Sequence, residues 1–165
     1  MKAAAAALLA LAACHPGTID VKVVSDAQLP AQMPAGYLGL GAGLSDFGNA
    51  FGQSLQGAGS DSAHVDQAHA TEAHLTATDD GDLSFLSEVE LTLSAAGLPD
   101  VKLASQTVFP ALQGTVALTV DSATDLAPYL KASQVTVKSK LGYDHAPGHT
   151  RQVEATLTLS VKLKL

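Results

Sequence analysis

The last thirteen residues of the chain alternate strictly between apolar and polar side chains. The odd-numbered positions from Val153 to Leu165 are all apolar, and the even-numbered positions between them carry Glu, Thr, Ser or Lys. Successive side chains of a β-strand point to opposite faces, so this pattern predicts a long strand with one buried and one solvated face. At ~3.3 Å per residue the strand would extend about 43 Å, and we expect it to bend or twist along its course.

Shorter segments repeat this alternation, and turn-forming residues separate them. They lie at residues 19–23, 70–78, 89–93, 101–103, 116–120 and 135–141. The link 96–100 predicts a hairpin, and residues 144–149 predict a hairpin loop into the last strand. Short helical pieces are predicted at 60–67 and 125–131. Together these patterns predict an all-β fold, an antiparallel β-sandwich of about seven or eight strands with one or two short helical turns.

A glycine-rich segment, residues 36–59, contains eight of the 14 glycines. Three apolar residues recur there at four-residue spacing, which fits one face of a helix or one face of a strand. Glycines at 48 and 52 disfavour a helix by about 1 kcal/mol each, so the conformation of this segment stays open. Its apolar side chains either pack in the core, line a groove for an acyl chain or dock on a partner. They are Tyr37, Leu40, Leu44, Phe47, Phe51 and Leu55.

The chain begins with one basic residue, Lys2, followed by eleven residues without a polar side chain, Ala3 to Ala13. A helix needs roughly 20 apolar residues to cross a hydrocarbon core of ~30 Å, so this run is too short to span a membrane. A basic start, a short apolar run and small residues are typical of a secretory signal peptide. The run ends in Leu11-Ala12-Ala13-Cys14.

This ending resembles the lipobox of bacterial lipoprotein precursors, in which an aliphatic residue and two small residues precede a cysteine. The resemblance implies cleavage before Cys14, diacylation of its sulfur and acylation of the new α-amino group. The alternative is a chance cysteine after an ordinary signal peptide. Cys14 is the only cysteine, and acylation would remove an exported free thiol that is otherwise a liability. The covalent lipid on Cys14 is the only prosthetic group we expect.

The residues after the cysteine, His15 and Pro16, lack the aspartate that keeps many lipoproteins at the inner membrane. The resemblance therefore implies export and anchoring at the bacterial outer membrane, with the inner membrane as the alternative. Residues 83–99 also resemble a segment of uncharacterised β-rich bacterial lipoproteins, a likeness that implies no activity. The predicted organisation is a signal peptide at 1–13, a lipidated tether at 14–17 and a single β-sandwich domain at 18–165.

The charge of the chain excludes some partners. Without Lys2 the mature part has eight basic and sixteen acidic residues, a formal charge of −8. Nucleic-acid binding depends on clustered Lys and Arg, so we expect no nucleic-acid partner. The same balance argues against electrostatic adhesion to an anionic membrane surface.

No catalytic residue is predicted. His145 and His149 lie in one loop at a spacing that could chelate a metal, but no further Cys or His pair completes a zinc set. The acidic stretch 79–82 is similar to part of a calcium loop but lacks the other ligand positions, which favours a turn. We therefore expect surface histidines and no metal site.

The leading hypothesis is a membrane-anchored envelope lipoprotein that acts as a non-enzymatic structural or interaction module. Its partners would be the membrane, through the lipid anchor, and an envelope protein or polymer. A carrier of a lipid or other apolar ligand is the first alternative, and it rests on the apolar side chains of segment 36–59. A metal-dependent hydrolase is the second alternative, and it requires His145, His149 and the 79–82 stretch to converge in one cleft.

Overall fold

The computed structural model describes residues 17–29, 31, 37–40, 47–79, 81–132 and 134–164, and only the backbone of residues 37–40, 47 and 48. The predicted signal peptide, Cys14 and Leu44 lie outside the described residues, as do the side chains of Tyr37, Leu40 and Phe47. The described residues form one antiparallel sheet that curls on itself.

Eight strands and two α-helices make up the described fold, together with a short 3₁₀ turn at Ser62–His64. The strands are β1 (Thr18–Leu29), β2 (Tyr37–Leu40), β3 (Val65–Ala77), β4 (Leu86–Ala95), β5 (Val101–Gln106), β6 (Thr115–Val120), β7 (Val135–Tyr143) and β8 (Arg151–Leu163). The helices are α1 (Phe47–Gly57) and α2 (Ala127–Leu130). The predicted antiparallel β-sandwich of seven or eight strands is confirmed.

The strands follow the order β1-β8-β3-β6-β5-β4-β7-β2. Four of the pairings, β1 with β8, β2 with β7, β3 with β6 and β4 with β5, join the first half of the chain to the second half in reverse order. The chain is therefore a long hairpin rolled over itself, with its tip at the link 96–100. This is the topology of an eight-stranded jelly roll, in which two sheets pack face to face.

The two four-stranded halves, β1-β8-β3-β6 and β5-β4-β7-β2, are joined by a short contact between β5 and β6. Only Ala104 with Val120 and Ser105 with Thr119 are paired there. Because this junction is short, the sheet can fold over and bring apolar side chains of both halves together. Leu157 of β8 and Leu91 of β4 line the same narrow void of about 20 Å³ between the halves, a volume for one water molecule at most.

Helix α1 covers the open side of the rolled sheet. It contacts β1, the outer strand of one half, and β7, next to the outer strand of the other. Phe51 and Leu55 lie on one face of the helix and are 2% and 0% exposed. The Ser54 hydroxyl donates a hydrogen bond to the Lys22 carbonyl of β1 at 3.1 Å. The glycine-rich segment thus contains both a strand, β2, and the helix that covers the seam.

Several local predictions need correction. The helical piece predicted at 60–67 is wrong, because only Ser62–His64 are helical and β3 begins at Val65. Pairing with β8 along its length determines this segment, and local helical spacing is overridden. The hairpin predicted at 144–149 is also wrong, since β7 and β8 belong to opposite halves. The strand predicted at Val153–Leu165 begins two residues earlier, at Arg151.

Other local predictions are confirmed. The hairpin across 96–100 joins β4 to β5 in antiparallel pairing. The predicted helix at 125–131 contains α2, and Asp125 accepts a hydrogen bond from the Ala127 N–H at 3.0 Å. The alanine-rich strand predicted at 70–78 forms the second half of β3, which ends one residue earlier, at Ala77.

Replacing Leu55 by alanine is expected to destabilise the domain, because the side chain is fully buried where α1 covers the seam. The cavity left by a buried Leu→Ala change costs about 2–5 kcal/mol. The neighbouring Gln56 is exposed, so Gln56→Ala should alter the free energy of unfolding by less than about 0.5 kcal/mol. Urea denaturation measures both variants. Equal effects would mean that α1 does not pack on the sheet.

Candidate functional site

One end of the rolled sheet is formed by the loops that follow β3, β5 and β7. The backbone ties these loops together: the Leu83 N–H donates to the Gln113 carbonyl at 3.3 Å, and the Asp144 N–H donates to the Phe85 carbonyl at 3.0 Å. We call this end the cleft end, and its described loop residues are 78–79, 81–85, 107–114 and 144–150.

A cleft of about 380 Å³ opens at the cleft end. Its walls mix charged, polar and apolar side chains from all three loops and from the first residue of β8. The lining residues are Gly81, Asp82, Ser84, Phe85, Leu112, His145, Pro147 and Arg151.

Arg151 is the only arginine of the chain, and it is 8% exposed. Its Nη2 donates to the Asp82 carbonyl at 2.9 Å, and its Nη1 donates to Nε2 of His149 at 3.0 Å. Its Nε lies 3.5 Å from the Asp79 carboxylate but makes no hydrogen bond to the described residues. A buried guanidinium needs such partners because its desolvation is costly.

The guanidinium also packs on aromatic and backbone surfaces. Its Cζ lies 5.8 Å from the centroid of the Phe85 ring, within the range of a cation–π interaction. Phe85 in turn stacks on Tyr143 with 6.0 Å between ring centroids. A Cβ at Gly81 would overlap the guanidinium, so a larger residue at this position would have to displace it. Arg151 therefore fixes the loop after β3 against the start of β8.

The carboxylate of Asp82 organises its own loop and the loop after β5. It accepts hydrogen bonds from the Ser84 hydroxyl at 2.6 Å and the Ser84 N–H at 3.0 Å, and from the Leu112 N–H at 3.3 Å. The Ser84 hydroxyl, followed by these backbone N–H groups, holds the pKa of Asp82 below its usual range. Asp82 is therefore a firmly ionised acceptor at the cleft.

Leu112 forms an apolar rim of the cleft. It is 91% exposed and has φ of 65°, a left-handed conformation that is costly for a residue with a Cβ. Its hydrogen bond to Asp82 helps to hold this conformation. Val108 on the same loop is also exposed, at 64%, but does not line the cleft.

Four of the residues that the metal prediction singled out come together at the cleft end, and Asp80 lies outside the described residues. Asp82 and His145 line the cleft, and Asp79 and His149 contact Arg151. A guanidinium lies among them, and among the described residues no three His, Cys, Asp or Glu side chains are placed to hold a metal ion. Asp82 precedes a turn in which the Leu86 N–H donates to the Leu83 carbonyl at 3.0 Å, and its carboxylate accepts from the Ser84 N–H at the start of this turn.

Of the six apolar candidates, Phe51 and Leu55 are part of the hydrophobic core. They pack under α1, away from the cleft lining. Of the other four, Leu44 lies outside the described residues, and only the backbone of Tyr37, Leu40 and Phe47 is described.

Arg151 was not among the predicted site residues, although the alternation of β8 contains a signal for it. Position 151 is odd-numbered, as are the apolar positions of the strand, so the alternation extended backward places it on the buried face. A lone arginine at an inward position indicates a special environment. Its partners could not be foreseen, because Asp79 and Phe85 are more than sixty residues away in sequence.

No helix in the described part of the chain is both long enough and apolar enough to span a membrane.

No protein-family model matches the chain, and no curated protein matches it. Among solved structures, a chain of Cocksfoot mottle virus is similar at a TM-score of 0.36 and 7% identity, covering 100% of this chain and 93% of that chain. A chain of Desmodium yellow mottle tymovirus is similar at a TM-score of 0.32 and 13% identity, with 98% and 97% covered. At these TM-scores neither likeness informs the function.

Gly81→Ala is expected to destabilise the domain by about 1–3 kcal/mol, because the added methyl group would displace the buried guanidinium of Arg151. Gly52→Ala is the matched control. No atom lies within 4 Å of a Cβ there, and alanine should stabilise the interior of α1 by about 0.5–1 kcal/mol. The free energies of unfolding should thus change in opposite directions, and a neutral Gly81→Ala would contradict the described packing.

Asp82→Asn is expected to destabilise the domain in a pH-dependent way. The folded pKa is lowered, so the ionised form contributes stability above the unfolded pKa of about 3.9, and this contribution is lost as the pH falls through the folded pKa. The gap between wild type and variant should be on the order of 1 kcal/mol at neutral pH, allowing for solvent screening, and should shrink in acid. Urea denaturation across this range measures the gap. Asp144→Asn, at an exposed position on the same end, is the control, and a pH-independent gap would refute the assignment.

Proposed function

We propose that this chain is a bacterial envelope lipoprotein whose jelly-roll domain is a non-enzymatic interaction module, held by acyl groups on Cys14 and binding its partner at the cleft end. The observation that carries the proposal is that Gly17, the first described residue, and the cleft lie at opposite ends of the domain. Gly17, three residues after Cys14, lies beside Leu163 at the far end of β8 from Arg151.

We call the end that contains Gly17 the anchor end. Strand β1 leads from the anchor end to the cleft end over 12 residues, which is about 40 Å at ~3.3 Å per residue. The turn 96–100 and α2 also lie at the anchor end, where the Tyr129 hydroxyl donates to the Pro99 carbonyl at 2.7 Å. A lipid on Cys14 would therefore hold the anchor end toward the membrane and direct the cleft away from it.

The anchor itself is supported by the sequence Leu11-Ala12-Ala13-Cys14, which resembles a lipobox at every position. Two or three acyl chains exceed the single chain that binds membranes only marginally, so anchoring would be stable. His15 and Pro16 favour the outer membrane over the inner one by the same resemblance.

The intact mass of the protein extracted from its native membrane tests the anchor. We expect a polypeptide that begins at Cys14 and is heavier than residues 14–165 by the mass of its acyl groups. The Cys14→Ser variant should retain residues 1–13 or lose membrane association, because it lacks the acylated sulfur. An unmodified mass for the membrane-extracted protein would refute the anchor.

The orientation is tested in the same cells with a photoreactive amino acid in place of Leu112, at the cleft end, or Pro128, at the anchor end. Both positions are exposed, so accessibility is matched. Partner crosslinks are expected from position 112 and not from position 128. Crosslinks from position 128 alone would place the binding surface at the anchor end and contradict the proposed orientation.

A further inference from the structure

The polar groups of the cleft can make further hydrogen bonds, both as donors and as acceptors. The Ser84 hydroxyl donates to Asp82, which leaves its oxygen free to accept a hydrogen bond. Arg151 is more than nine-tenths buried, and its Nη1 and Nη2 each donate one hydrogen bond, to His149 and to the Asp82 carbonyl. Each of these nitrogens has a second N–H that can donate. The exposed His145 ring also lines the cleft, and it can donate from one nitrogen and accept at the other.

The charges of the cleft lining balance. Arg151 supplies one guanidinium and Asp82 supplies one carboxylate. An anionic ligand would meet Asp82 and the nearby Asp79 of the same loop, and a cationic ligand would meet the guanidinium. Neither kind of ion finds an opposite charge without a partner, because the guanidinium is paired with Asp79 at 3.5 Å and the Asp82 carboxylate accepts from Ser84 and Leu112. The lining therefore favours a neutral ligand.

The apolar groups of the cleft offer a surface for carbon atoms. Leu112, Pro147 and Phe85 contribute to the walls, and Leu112 is held at the rim in a left-handed conformation. A ligand with hydroxyl groups on its edges and C–H groups on its faces matches this mixture. Each hydroxyl can both donate to Asp82 or His145 and accept from Arg151.

We propose that the cleft binds a neutral saccharide, one or two sugar units of an uncharged stretch of an envelope polymer, between Asp82, Ser84, Arg151 and the Leu112 rim. Its volume of about 380 Å³ lies within the ~300–1,000 Å³ of small-molecule sites. This inference rests on the proposed function, since it identifies the partner of the cleft end.

Calorimetric titration of the full chain as isolated from its native cells, whether or not Cys14 is acylated, tests this inference. The protein is held in a phosphocholine detergent, because a sugar-headed detergent would compete for the cleft. The neutral probes are the trisaccharides of N-acetylglucosamine, of α-linked glucose and of β-linked glucose. Trigalacturonic acid and trilysine are the charged comparators. We expect at least one neutral trisaccharide to bind at a single site, and we expect no binding of either charged comparator.

Two variants locate the site. Leu112→Gly removes the rim side chain at a backbone conformation that glycine adopts readily, so the fold should be kept. Ser84→Ala removes one hydroxyl. Each should weaken saccharide binding about fivefold to tenfold. Val108→Ala is the control, because Val108 is an exposed apolar residue of the same loop that does not line the cleft.

The possible results distinguish a failure of the saccharide inference from a failure of the proposed function. Binding of a charged comparator alone, binding of no probe, or binding unaffected by both Leu112→Gly and Ser84→Ala overturns the saccharide inference. Crosslinks from position 112 in cells would in that case still support an interaction module with another partner. Conversely, an unmodified Cys14 would refute the anchor without altering the titration.

Discussion

The pairing of β1 with β8 is the constraint on which the rest of the structure depends. It joins residues at the two ends of the domain, from Thr18 opposite Lys162 to Leu29 opposite Arg151. The long alternation of β8 permits one register, because a slip by one residue would turn its apolar side chains to solvent. That register places Gly17 beside the end of β8 and the buried guanidinium at the start of β8. The distance between the end that contains Gly17 and the cleft end therefore follows from one strand pair.

Arg151 connects this pairing to the loops of the cleft end. A guanidinium that is 8% exposed gains little net stability from an ion pair, since desolvation offsets much of the attraction. It contributes mainly by holding the loops of the cleft end in place. The planar guanidinium donates to the Asp82 carbonyl and to His149, and its face lies on the Phe85 ring. Lysine could not make these contacts together, because an ammonium lacks the fork and the flat face. The guanidinium also occupies the space that a Cβ at position 81 would fill, which is free because this residue is Gly81.

The sequence patterns predicted the sandwich and most strands because alternation is a local property that burial on one face imposes. The same local reasoning failed where partners decide the structure. Residues 65–67 look helical in spacing but become strand by pairing with β8, and the loop after β7 crosses between halves because β8 is paired with β1 and β3. The candidate site was foreseen only under the metal-hydrolase alternative, which required His145, His149 and the 79–82 stretch to converge in one cleft. The residue that unites them, Arg151, acts through contacts with segments distant in sequence.

The protonation state of Asp82 bears on what kind of site the cleft is. General acid–base catalysis near neutral pH needs a group whose pKa lies near 7, which for a carboxyl means a raised pKa. The Ser84 hydroxyl and two backbone N–H groups lower the pKa of Asp82 instead, so this carboxylate is a poor proton donor. A fixed, ionised acceptor beside a buried guanidinium is well suited to hold the hydroxyl groups of a ligand in place. The protonation state of Asp82 thus suits a fixed hydrogen-bond acceptor and not a general acid.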